Sequence, residues 1–144
     1  MAAWYPLLLL LHLSCAIVFI GAVAFEVLVV ESLARHFDPP LMQRIESLVV
    51  ARVRKFMPVV VALLFVSGFA LFDIRCDGFA CIGSRFGWLL SAKVALAFAV
   101  LGVFVVSVRA SIRGTMDPCR FRHTHRVVLV LMAGIVVLAK LMFY

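Results

Sequence analysis

Four ionisable side chains, His12, Glu26, Lys93 and Lys140, stand inside otherwise apolar runs of the sequence. Such groups are costly in hydrocarbon and normally face a bundle interior or a wet cavity. A neutral imidazole at His12 has two uses there. It can serve as the axial ligand of a b-type haem or as a ligand of another metal, or it can make a plain interhelical hydrogen bond. An ammonium at Lys93 can meet a haem propionate, an anionic substrate or a quinone oxygen, or it can snorkel to the membrane surface. Glu26 reads as a proton relay or, more simply, as the ion-pair partner of Arg52 or Arg54. Lys140, close to the C-terminal end, reads as a snorkelling anchor. His123 and His125 would face opposite ways on a helix, so no shared metal is expected. They read as headgroup residues or haem-propionate partners, and His36 as a solvated loop residue.

The elements that must position these groups follow from composition. The 144 residues are 66% hydrophobic and only 15% charged, with a mean hydropathy of +1.19. A soluble domain is about 45–50% apolar and about 25% charged. A soluble globular enzyme, a disordered tail and a nucleic-acid module are therefore excluded. A membrane helix needs about 20 mainly apolar residues, and four such runs lie near 5–30, 56–72, 86–108 and 127–143. The expectation is a single all-α, integral membrane four-helix bundle over 1–144, with the N-terminal run retained because it lacks a basic n-region. Asp38-Pro39-Pro40 breaks the chain. An amphipathic helical extension over Leu41 to Lys55 then leads into the second span, with a kink expected at Pro58.

Short cytoplasmic loops carry excess Lys and Arg. The first loop and its extension hold Arg35, Arg44, Arg52, Arg54 and Lys55, and the third holds Arg109, Arg113, Arg120, Arg122 and Arg126. The second has only Arg75 and Arg85 against Asp73 and Asp77. Loops one and three are therefore expected in the cytoplasm of a bacterial-type inner membrane, with both termini outside. The net charge of +7 reflects this asymmetry rather than nucleic-acid binding. Cys76 and Cys81 in the second loop would then face an oxidising compartment, as a disulfide or as two free thiols. Trp4, Tyr5, Trp88 and Tyr144 fall at the outer boundaries as an aromatic belt.

His12 and Glu26 return to within about 40° of one helix face, with Cys15, Phe19 and Val23 between them. This stripe should face the other helices. Lys93, Ala97, Val100, Phe104 and Ser107 form a like stripe in the third span, and Arg126, Val130, Ala133, Val137 and Lys140 in the fourth. Depth suggests two polar layers, an outer one of His12 and Lys93 and an inner one of Glu26 with Arg52 and Arg54.

His12 followed by Phe19-Ile20-Gly21 resembles the first helix of the copper resistance D family and of the HemJ-type protoporphyrinogen oxidases. Arg52-Val53-Arg54-Lys55-Phe56-Met57-Pro58 through Ser67-Gly68 is similar to their second helix, Trp88-Leu89-Leu90-Ser91-Ala92-Lys93-Val94-Ala95-Leu96 to their third, and Phe121-Arg122 to the approach to their last. The resemblance implies a four-helix bundle, as a homodimer or otherwise, associated with haem b or copper, with His12 as haem ligand and Lys93 as the second functional residue. The chain departs from the HemJ type in its Arg122-His123-Thr124-His125-Arg126 run and in Glu26. The expected function is haem-b electron transfer or membrane redox chemistry, as a membrane haem oxidoreductase or a partner subunit. Copper handling, with His12, Cys15 and scattered Met as soft ligands, is one alternative. A cofactor-free subunit of a larger membrane complex is another.

Overall fold

The computed structural model of the chain describes residues 3–115 and 117–144, except the side chain of Pro118; Met1, Ala2 and Met116 lie outside it. Four helices, each long and apolar enough to cross a membrane, account for most of the chain: α1 (Tyr5–Leu33), α2 (Pro39–Cys76), α3 (Arg85–Ile112) and α4 (Pro118–Leu141). The protein is a multi-pass membrane helical bundle. Asp-Pro opens both α2 and α4, with the proline in the first turn, where its missing N–H is no loss. Ser84 caps α3 by accepting a bond from the Gly87 N–H at 3.1 Å. At the end of α2, Asp77 and Gly78 turn the chain with φ of 44° and 79°. α2 includes the amphipathic extension and runs as one 38-residue helix through Pro58, so the kink expected there does not break it.

α1 packs chiefly against α2 and α3 chiefly against α4, so the bundle is two hairpins brought together. Phe19, Val23, Met57, Val61, Val100, Val128 and Met132 form their common core. Phe19 meets Phe104 edge-on at 6.0 Å, and Phe98 lies 5.8 Å from Phe65 and 6.0 Å from Phe69. These aromatic contacts join the hairpins where no charge is available to do so. Most of the remaining large apolar side chains face outward, as a lipid-facing surface requires.

Three of the stripes expected from the sequence have distinct outcomes. Cys15, Phe19 and Val23 are buried, with His12 and Glu26 half-buried at either end of the line. In α3, Val100 is buried and Lys93, Ala97, Phe104 and Ser107 are half-buried. In α4 the expected line is wrong: Arg126, Val130, Ala133, Val137 and Lys140 are all exposed, while Val128 and Met132 enter the core. An apolar membrane helix carries aliphatic residues on every face, so hydrophobicity alone does not choose the packed one.

α1 contains a single wide turn. Over Glu26–Val30 the backbone takes π-helical form, with the Glu31 N–H bonded to the Glu26 carbonyl. In an α-helix, residues five apart lie about 140° from each other. The wider i→i+5 turn brings them nearly under one another. Glu26 and Glu31 can therefore both face α4, and that is where both make their ion pairs.

Candidate functional site

His12 points from α1 into the groove of α2. Its Nδ1–H donates to the Leu64 carbonyl at 3.0 Å, and the Ser67 hydroxyl lies 3.1 Å from the same nitrogen. Ser67 is 1% exposed and its hydroxyl donates to the Leu63 carbonyl at 2.7 Å. The ring edge fills the space over Gly68, where an added Cβ would stand 3.0 Å from His12 Cε1. With Nδ1 carrying the proton, Nε2 is left with its lone pair, and no described residue bonds it. Metal-bound imidazoles are held in the same way, with the second nitrogen donating to a carbonyl or carboxylate that fixes the ring and its tautomer. Sequence reasoning singled out His12 but missed Ser67 and Gly68 as its seat. The adjacent small pair in the middle of an apolar run was the available signal.

Lys93 is half-buried on α3. No ion pair among the described residues includes it. Cys15 is buried one turn along α1 from His12 and is a free thiol. At the loop-two end, the Arg75 guanidinium bonds the Tyr5 hydroxyl at 2.9 Å and lies 5.0 Å from its ring centroid. Lys140 stands 4.7 Å from the Tyr144 ring centroid. The Cys76 and Cys81 sulfurs are bonded, with Cα atoms 4.9 Å apart. The loop they close rests on α3: a Cβ at Gly87 would come within 1.9 Å of the Cys81 carbonyl oxygen.

A second polar layer occupies the opposite end of the bundle, but its members differ from those expected. Glu26 Oε2 accepts from His125 Nε2 at 3.0 Å rather than from Arg52 or Arg54. Both of those arginines are exposed on α2 and make no ion pair among the described residues. Depth along the helix places them level with Glu26, but azimuth turns them away from it. His125 also donates from Nδ1 to the Phe121 carbonyl at 2.8 Å, so both ring nitrogens face acceptors, which suits an imidazolium against a carboxylate. His125 is therefore packed in the layer rather than spread among headgroups, while His123 is exposed.

Two further pairs flank this one. Arg122 meets Glu46 at 3.5 Å, and Arg126 meets Glu31. All three acids come from α1 and α2, and all three cations come from one short stretch of α4, Arg122 to Arg126. The layer thus joins the two hairpins by charge at this end. Between the pairs lies a cavity of ≈ 10 Å³ lined by Glu26, Glu46, Arg122 and His125 among others, about what one water needs. Glu26 Oε1 and Arg122 Nε are buried with no partner among the described residues, and a water there would satisfy such groups.

Among the described residues no three His, Cys, Asp or Glu side chains converge as a metal site. No protein family, curated protein or solved structure matches this chain.

Proposed function

We propose that the protein is a haem-b membrane protein that takes part in electron transfer, with His12 Nε2 as the axial ligand. The observation that supports this reading is the anchoring of His12 Nδ1 on Leu64 and Ser67, which leaves the opposite nitrogen as a fixed lone-pair donor in an apolar bundle. Lys93 is the cation for a propionate. Haem supplies one-electron chemistry, and the protein supplies the ligand, the dry surroundings and the countercharge. His12 is the sole histidine within the four apolar runs. A second axial ligand would come from a non-histidine side chain, from the His12 of a second copy in a homodimer, or from a larger complex. The excess of Lys and Arg in the first and third loops supports a cytoplasmic side for both in a bacterial-type inner membrane. The likeness to the copper resistance D and HemJ-type proteins, carried by His12 and Lys93, points the same way.

The test is a reduced-minus-oxidised spectrum of protein purified from haem-replete cells. A b-type band that His12→Ala abolishes and Lys93→Gln weakens is the expected result. A colourless preparation overturns the haem reading. Copper that is stoichiometric in such a preparation and lost in a His12→Ala, Cys15→Ser variant would move the assignment to the soft pair His12 and Cys15.

A further inference from the structure

A recess of a different kind lies away from His12. It is a groove of ≈ 400 Å³ on the outer face of the α3–α4 hairpin, lined along α3 by Ala99, Gly102, Val103, Val106, Ser107 and Ala110 and closed on α4 by Arg120 and Thr124. From Ala99 to Ala110 it extends about 16 Å along the helix. Its deep part is wholly apolar. Its polar groups gather at one end, beside loop three, where Ser107, Thr124 and Arg120 offer two hydroxyls and a guanidinium. Arg120 is exposed and belongs to no ion pair among the described residues. Arg109 and Arg113 add positive charge at the same end of α3, and Asp117, one turn before Arg120, is the acid nearest to it in sequence.

We propose that this groove is a binding site for an anionic phospholipid, with an acyl chain along Ala99, Gly102, Val103 and Val106 and the phosphate at Arg120 and Thr124. The shape selects a lipid over a free anion, because most of the wall can be covered only by hydrocarbon. The charge selects an anionic headgroup over a zwitterionic one, since basic pockets between membrane helices attract such headgroups. Gly102 is the floor of the groove: a Cβ there would meet nothing within 4 Å. A larger side chain at 102 would therefore fill the groove without disturbing the packed side of α3.

The experiment uses the full chain in nanodiscs of equal phosphatidylglycerol and phosphatidylcholine, released into the gas phase for native mass spectrometry. Retained phosphatidylglycerol in excess over phosphatidylcholine is expected. Arg120→Gln should lower that preference about fivefold. Gly102→Leu should lower retention of both lipids, and Arg85→Gln, exposed at the opposite end of α3, should change neither. Circular dichroism confirms that each variant is folded. Equal retention in wild type, Arg120→Gln and Gly102→Leu overturns the proposal. So does displacement of the lipid by soluble glycerol phosphate, which would make the site one for a free anion. Loss of a dimer rather than of lipid in the two groove variants would make the groove a face for a second copy instead, and also overturns it.

Discussion

Removing Glu26 should unfold the bundle more readily than removing any exposed charge. Its side chain is 13% exposed and that of His125 is 19%, so neither partner can be rehydrated without opening the seam between α1 and α4. Breaking a fully buried ion pair from one side costs about 3–5 kcal/mol. The residual exposure here screens part of that, and about 2–3 kcal/mol is expected for Glu26→Gln. Arg126 offers the contrast within the same layer. Its side chain is 64% exposed, and Arg126→Ala should cost about 0–1 kcal/mol. A third variant separates the pair from its packing. Glu26→Leu combined with His125→Phe replaces both charges by apolar groups of similar volume, and such replacements are often neutral. Its stability should approach that of wild type and exceed that of Glu26→Gln. The assay is equilibrium unfolding in mixed micelles, raising the fraction of dodecyl sulfate and following helicity by circular dichroism. Two results would refute the reasoning: Glu26→Gln no more damaging than Arg126→Ala, or a double apolar variant as unstable as the single one.

Gly68→Ala places a Cβ 3.0 Å from His12 Cε1, so the ring must shift by a few tenths of an ångström; a loss of about 1 kcal/mol is expected in the same micelle titration, together with a weaker b-type band. Gly87→Ala cannot coexist with the Cys81 carbonyl oxygen 1.9 Å away. The second loop must lift from α3, a cost of about 2–3 kcal/mol, and the Cys76–Cys81 bond should be reduced faster by an added thiol than in wild type.

The parts of this architecture that could be read in advance are those governed by one helix at a time. Four apolar runs became four helices because backbone polar groups in hydrocarbon must be satisfied within the segment. The line from His12 through Cys15, Phe19 and Val23 to Glu26 faces inward because His12 and Glu26, polar side chains inside the run, each find a polar partner on a neighbouring helix. What resisted reading depends on two helices at once. Glu26 and the Arg52 and Arg54 pair share a depth but not an azimuth, so the carboxylate found His125. The wide turn at Glu26–Val30 has no sequence mark, yet it decides which way Glu31 points. In α4 the exposed line ends in Arg126 and Lys140, each of which reaches a partner without entering the core: Arg126 pairs with Glu31 and Lys140 lies over Tyr144. Gly87 was invisible because its importance comes from a loop that folds back onto it, and Ser67 carried only the mark of a small pair, since the imidazole it seats arrives from another helix.

A helix of 38 residues is about 57 Å long, nearly twice the roughly 30 Å thickness of the hydrocarbon it crosses. The rod made by Pro39–Cys76 therefore overhangs the membrane by several turns. Its submerged portion is the one that holds the imidazole, through Leu64, Ser67 and Gly68. One unbroken helix thus joins the overhang to the three residues that seat His12. Pro58 lies between the two parts, and its ring nitrogen has no hydrogen to give the carbonyl one turn behind. The same rod that seats the imidazole within the hydrocarbon also extends well beyond it.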